Sequence, residues 1–435
     1  SCEKGSVEEV SDMRLIKQEM DKKLNGTPNL AEFTAKEIFK SFKPPKTLEQ
    51  TKPYFDLYAK KRKLLKAKRS AIRIGIPRVM ILFSHAPIFN TYFESLGIKK
   101  ANLVYSDFTT IDMYREGAKR GSIDPCYPSK VSVAHVHNLL YKHHEKRKLD
   151  MIFFPLVNDQ PQMLNTAACW TCPTVAGTAV VVKAAFTKEE DIFADRNILF
   201  LDTFVNVAYP KIFEKQMYDQ FKDLLGLSRK ENKMAVEAAY KAFDLYNARI
   251  RQDGRKLLDQ LVENNQLGIV VLGRTYHNDP GINHGIFKEF QTLKYPILTL
   301  DSMPMDDDLM EEIFGEDIRN GIISNPFDIS DVWKHSMNEN SNLKVWAAKF
   351  VARHPNLVGL EISSFKCGHD APTYHLIEQI VEQSGTPYFS FKDIDENKSA
   401  GSIRLRVETL DYFLREYWDN KIKQNEASFE MAEIN

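Results

Sequence analysis

The chain has 435 residues, 43% hydrophobic and 27% charged, which is the balance of a folded protein with more than one core. Lys plus Arg and Asp plus Glu both number 59, so no net field draws the chain to nucleic acid or to an anionic membrane. No apolar run approaches the ~18 residues that cross a bilayer and no signal peptide opens the sequence, so the expected setting is cytoplasmic.

The sequence starts Ser-Cys-Glu-Lys-Gly without Met, as a piece cut from a longer protein would. Residues 1–71 read as a polar helical segment. Val10, Met13, Ile16 and Met20 give a weak one-face pattern, broken at 25–29 and again at 43–46 by Pro and Gly. Tyr54, Leu57, Tyr58, Leu64 and Leu65 mark a second helix, crowded with Lys and Arg from Lys60 to Arg69. That basic run is either a phosphate-binding arm or a solvated face whose long stems lie over apolar surface.

From 72 to 208 strand-like runs alternate with helical ones. Strands are expected at 71–77, 103–105, 150–155 and 197–202, with helices through Ile88 to Leu96 and Val131 to Leu140. Residues 209–264 turn helical and read as a connector. A second alternating unit spans 265–420, with strands at 267–273, 295–300, 357–362 and 387–391 and helices at 344–353, 375–384 and 402–418. Residues 421–435 read as a polar, frayed tail. The fold class is therefore α/β: two doubly wound parallel-sheet domains, a helical N-terminal segment and a helical connector.

Five cysteines, an odd number in a long chain, do not make a disulfide framework; metal or redox use in a reducing compartment fits better. Cys169 and Cys172 form a C-x-x-C ending in Pro173, while Cys126 lies upstream in Asp124-Pro125-Cys126-Tyr127-Pro128 and Cys367 far downstream. Each site follows a strand-like run, where open parallel sheets bind ligands, and Cys126 and Cys367 precede helical runs. A helix N-terminus lowers a thiol pKa and offsets the negative charge of a cluster. The four internal cysteines match the ligand count of one 4Fe-4S cubane. A closed zinc site is the competing metal, catalytic disulfide exchange at Cys169/Cys172 is a third use, and any one of these residues alone can be a small buried hydrophobe. Cys2 stands apart from the site.

The loop from Gly273 to Gly285 follows a strand and precedes a helix. Arg274 and His277 there can meet an anion or supply a proton. Equally, the loop is a turn in which Asn283 caps the helix and backbone satisfies His277. His369, two residues after Cys367, is a candidate second partner to the cluster sulfurs or a plain surface residue. No phosphate-binding G-x-x-x-x-G-K run and no serine nucleophile elbow is present.

Several motifs in order carry a family resemblance: Ile74-Gly75-Ile76-Pro77-Arg78-Val79, Asp124-Pro125-Cys126-Tyr127-Pro128-Ser129-Lys130 and Cys172-Pro173. They are joined by Leu272 to His277, Asp279 to His284, and Lys366-Cys367-Gly368-His369-Asp370-Ala371-Pro372. Over about residues 72–417 the chain resembles the 2-hydroxyacyl-CoA dehydratase and double-cubane cluster superfamily, and most of all the large acyl-CoA dehydratase activase-related proteins. The resemblance implies an oxygen-sensitive cluster between paired α/β domains, reduced by a separate or fused ATP-hydrolysing activator. It places Cys126, Cys172 and Cys367 on the three cubane ligands of the dehydratases, which leave one iron open, with Cys169 extra. The double-cubane 8Fe-9S arrangement needs six cysteines, more than this chain has.

Three readings follow. The first is an iron–sulfur protein that takes low-potential electrons from an ATP-dependent activator of the 2-hydroxyacyl-CoA dehydratase type and passes them on, as the reductase component of such a pair. The second is a zinc-stapled or docking scaffold without redox chemistry, and the third an acyl-CoA dehydratase component. A homodimer is compatible with all three.

Overall fold

Two four-stranded parallel sheets organise the computed structural model, which describes residues 24, 26–41, 59–120, 126–164, 168–335, 337–396 and 398–434, with backbone alone from 425. Cys2, the expected helix over 8–23, the stop at 43–46, Tyr54 to Tyr58 and Asp124-Pro125 lie outside the described residues. The first elements among the described residues are α1 (Leu30–Glu37) and α2 (Ala59–Lys68). The first unit follows as β1 (Ile74–Ile76), α3 (Leu82–Ser95), β2 (Leu103–Tyr105), α4 (Ile111–Gly117), α5 (Tyr127–Asn138) and β3 (Met151–Phe153). It continues through β4 (Leu156–Val157), α6 (Pro173–Thr187), α7 (Ile192–Asp195), β5 (Leu199–Leu201) and β6 (Phe204–Val205).

Two helices come next, α8 (Pro210–Leu225) and α9 (Arg229–Glu263). The second unit is β7 (Gly268–Leu272), α10 (Ile286–Thr292), β8 (Ile297–Thr299), α11 (Asp307–Arg319) and α12 (Glu339–Arg353). It closes with β9 (Leu357–Ile362), α13 (Tyr374–Glu382), β10 (Tyr388–Phe391) and α14 (Ala400–Ile434). The fold class is α/β, doubly wound.

The two large sheets share one topology. The first runs β2-β1-β3-β5 and the second β8-β7-β9-β10, so each places its first strand between its second and third. All neighbours are parallel, in registers such as Gly75 with Val104 and Val270 with Gly359. The inner strands β1, β3, β7 and β9 are buried on both faces, as their apolar runs in sequence require, while the edge strands β2, β5 and β10 are only partly buried. A connection that reverses direction between the first and third strands opens a crevice at the carboxyl ends, which is where such sheets hold ligands. Beside the first sheet, β4 and β6 pair in a two-stranded ladder that the sequence did not signal.

Segment 209–264 does more than connect. On α8, Phe213, Met217, Phe221 and Leu225 join Phe89, Tyr92, Phe93 and Phe153 in one aromatic core. With 35 residues, α9 is about 52 Å long. Its first two thirds bury Ala239, Phe243 and Ile250 in the first core, and its last turns bury Leu257, Leu258 and Leu261 in the second. It is a strut common to both units. Arg69, beyond the basic α2, caps the C-terminus of α8 through the Leu225 and Gly226 carbonyls and pairs with Glu231 at 2.7 Å. The other basic side chains of α2 lie at or near the surface, with Lys66 3.0 Å from Glu231.

The expected frayed tail is instead a continuation of α14 to Ile434. No Gly or Pro after Gly401 interrupts that helix, so nothing local ends it. Among the described residues no helix is long and apolar enough to cross a membrane.

Gly254 marks the tightest crossing of α9: a Cβ there would stand 1.7 Å from the Ser302 carbonyl oxygen. Gly254→Ala is expected to lower stability by about 1–3 kcal/mol despite alanine's better helix propensity. Gly177, inside α6 with nothing within 4 Å of its Cβ position, is the control. Gly177→Ala should raise stability by about 0.5–1 kcal/mol, both read from urea unfolding midpoints.

Candidate functional site

Three of the four internal cysteines converge where the units meet. Cys126 is the N-cap of α5, with Pro following at the first turn, and its carbonyl accepts the Ser129 and Lys130 N–H groups. Cys172 is the N-cap of α6, where Pro173 fits the first helical turn because its missing N–H would have no partner there. Cys367 sits in the turn after β9, donating its N–H to the Ser364 carbonyl at 2.8 Å. The Cys126 thiol lies within electrostatic reach of Cys367, Cys172 and Arg274, so residues more than 240 positions apart share one locale. All three are half-buried.

Burial pushes the Cys126 thiol up to about 11, partly offset by the Ser129 N–H donated to its sulfur and by Arg274. Burial also raises the Cys367 thiol, against Arg274 and the N–H groups of Asp370 and His369. These thiols therefore hold their protons at neutral pH unless a metal replaces them. Backbone N–H groups aimed at two sulfurs suit a thiolate-bound group.

Arg274 is the counter-charge. It follows β7, is 2% exposed, and pairs with Asp370 at 2.9 Å across the crevice between β7 and β9. Burial opposes its charge, but the Asp370 carboxylate outweighs that and holds it protonated. Its Nε has no hydrogen-bond partner, an orphan donor beside three thiols. Asp370 is in turn held far below the usual carboxylate range: burial works against it, and Arg274, Lys344 and the Ser363 hydroxyl prevail. Lys344 lies 2.6 Å from Glu361, and Tyr388 donates to the same carboxylate. Every member of this ionic group is paired, as burial at these depths requires.

His277 takes the structural option. Its Nδ1 accepts the Arg274 N–H at 3.0 Å, and burial drops its pKa to about 3, so the ring is neutral and supplies no proton near pH 7. Asn283 braces the loop rather than capping α10: its side chain donates to the His277 carbonyl and accepts the Gly285 N–H. The residue preceding α10 is Gly285 at φ +77°, a conformation that favours glycine. His369 is half-buried, with its carbonyl accepting from Ser341.

Cys169 stands apart. It is buried, with its carbonyl accepting the Gln160 N–H, and its charged neighbours are Asp159 and Glu339 instead of the other thiols. Burial pushes the Glu339 carboxyl up to about 7. Among the described residues no group of three His, Cys, Asp or Glu side chains is close enough to hold a single metal ion. A multi-iron cluster is a larger object, and its thiolate ligands stand further apart than those on one ion.

Contacts the sequence did not signal lock the two units together here. Thr109, after β2, donates to Asp279 at 2.9 Å, and the same hydroxyl meets His135 Nε2. His135 Nδ1 reaches Ser106, which accepts the Arg78 N–H. Gly281 permits this contact, since a Cβ would stand 2.1 Å from the Thr109 carbonyl oxygen. Trp170, inside the C-x-x-C, bridges to the second unit: its N–H donates to the Met337 carbonyl, and its own carbonyl accepts from Asn338 Nδ2. Asn338 Oδ1 in turn accepts from Arg274 at 3.3 Å. Lys130 reaches Glu396 at 2.6 Å.

Paired parallel sheets of one topology, with thiols and a buried arginine where they meet, define an α/β protein whose site is shared between two units. The chain belongs to the family described as the CoA enzyme activase uncharacterised domain (DUF2229), whose model matches residues 73–303, just over half of the sequence. The match covers the first unit, α8, α9 and the start of the second unit, including Cys126, Cys169, Cys172, Arg274 and His277; Cys367 and His369 lie beyond it. A comparison with curated proteins returned no match.

Asp370→Ala strands Arg274 beside Lys344 without its partner. The expected cost is about 3–5 kcal/mol in urea unfolding, because an uncompensated charge is left buried. Asp317→Ala, at a more exposed 2.6 Å pair with Arg353, should cost no more than about 1 kcal/mol in the same measurement.

Proposed function

We propose that this chain is the thiol-bearing component of an acyl-CoA dehydratase-type system, holding one iron–sulfur cluster on Cys126, Cys172 and Cys367. The observation that carries it is the gathering of these three thiols, from both units, around a buried arginine with an unpaired Nε. Membership in a CoA enzyme activase family favours this reading over a stand-alone electron relay. So does the position of Cys169, since three thiolates on a cubane leave one iron for substrate.

A 4Fe-4S cluster would supply a one-electron centre with an iron open to an acyl-CoA carbonyl. The chain's own residues would do the rest. Arg274 balances anionic charge, N–H groups of Ser129, His369 and Asp370 donate to the sulfurs, and Tyr276 packs close by. An 8Fe-9S double cubane asks for more cysteines than the five present. A zinc staple asks for thiolates close enough to close on one ion, which the described side chains do not offer.

The partner in this reading is an ATP-hydrolysing activator. Exposed Trp170, Met337 and Phe365 lie in the segments that carry or brace the cysteines, giving such a partner apolar surface near the cluster. A docking scaffold without redox chemistry would use the same surface and need no metal.

Anaerobic reconstitution is expected to give about four iron and four sulfide per chain. Cys126→Ala, Cys172→Ala and Cys367→Ala should each lose most of it, whereas Cys169→Ala should keep it. The reduced holoprotein should bind an acyl-CoA. Colourless protein without iron, or equal loss in all four variants, would sink the three-thiolate assignment; retained activator binding by iron-free Cys172→Ala would favour the scaffold.

A further inference from the structure

The first sheet ends on an open edge. β5 and β6 follow β3 and β4 in one unbroken register, with Met151 opposite Leu199 and Val157 opposite Val205, so residues 199–205 make a single bent edge strand. Its odd-numbered residues spend their backbone groups inward. The Leu199 N–H donates to the Asp150 carbonyl, and the Leu201, Thr203 and Val205 carbonyls accept from Phe154, Leu156 and Asn158. Alternation turns the N–H and C=O groups of Asp202 and Phe204 outward, and among the described residues no hydrogen bond meets them.

Apolar side chains border this edge. Phe204 itself is 55% exposed. Lys183 of α6 pairs with Asp202 at 3.0 Å, and Val180, one turn earlier, is 49% exposed. At the other end Gln216 of α8 accepts the Asn206 N–H at 2.8 Å, and Ile212, one turn before it, is exposed, as is Tyr209. The other edges are covered or charged. On β8 the Ile297 N–H donates to the Pro28 carbonyl, on β10 the Ser390 carbonyl accepts from Arg406, and beside β2 Phe39 packs on Tyr105. Folded proteins blunt a sheet edge in such ways unless a strand from another chain is to meet it.

Charge selects that chain. The strand starts after exposed Glu189, Glu190, Asp191 and Asp195, which outnumber Lys188 and Arg196, and it runs on to exposed Lys211 and Lys215, which outnumber Glu214. A two-fold axis near Asp202 lays two such strands antiparallel, so the acidic start of each meets the basic end of the other. We propose that this edge, with the α6 and α8 residues that flank it, is the interface between two copies of the chain. The contact uses one patch twice and closes on itself.

Sedimentation of the full metal-free chain tests this. At micromolar concentration the protein should run at twice the 50.1 kDa of one chain. Phe204→Lys places a charge at an exposed position, so it should keep the far-UV circular dichroism and weaken the dimer at least about tenfold. Tyr412→Lys, at an exposed aromatic of α14 away from this edge, should leave the dimer intact. Lys211→Glu with Lys215→Glu should also weaken it about tenfold, and adding Glu190→Lys with Asp195→Lys should restore it, because the two ends have exchanged charge. A monomer at every concentration, a dimer indifferent to Phe204→Lys, or an exchange of charge that restores nothing would each overturn the assignment. No cysteine takes part, so these results are separable from the fate of the cluster reading.

Discussion

The buried pair between Arg274 and Asp370 governs the architecture around it. A guanidinium and a carboxylate, each with 1% of its side chain accessible, sit in the crevice between β7 and β9, where reversal of strand order leaves room at the sheet edge. Neither charge is tolerable alone at that depth. Together they fix the turn carrying Cys367, because Asp370 lies three residues beyond it and its N–H also reaches the sulfur. They also fix Asn338 through the other arm of the guanidinium, and through Asn338 the Trp170 carbonyl of the first unit. One ion pair thus positions cysteine-bearing loops from both units.

This arrangement explains why the thiols meet at a boundary and not inside either sheet. Each unit brings its loops to the carboxyl ends of its strands, and the aromatic core, with α9 lying along both cores, sets how those ends face one another. The Thr109–Asp279 contact and its continuation through His135 and Ser106 to the Arg78 N–H join the same faces with hydrogen bonds shielded from water. Low dielectric strengthens those bonds and raises the Cys126 and Cys367 thiol pKa values, so the same burial that holds the units together keeps these two thiols protonated. Family membership sets this platform among chains that carry the CoA enzyme activase uncharacterised domain.

Much of this was legible in the residues. Short apolar runs bounded by turn residues marked all eight strands of the two large sheets, most strongly the inner ones, since strands buried on both faces must be apolar throughout. The three cysteine sites and the Arg274 loop stood out because they follow those runs. The two-residue ladder of β4 and β6 left no such mark, being too short for any periodicity. The last helix ran past its expected end at Trp418, since the segment beyond contains no stop signal.

What the sequence determined by itself was the pair of α/β units and the strand ends that bear the thiols, because local apolar pattern and turn chemistry dictate both. What only tertiary structure decided was partnership. It set Cys126, Cys172 and Cys367 together and left Cys169 with Asp159 and Glu339, although Cys169 and Cys172 are neighbours in sequence. It made His277 a brace instead of an acid and brought unmarked Thr109 into contact with Asp279 of the same loop. Such choices depend on burial and on the relative seating of two sheets, and neither is encoded in the spacing of residues along the chain.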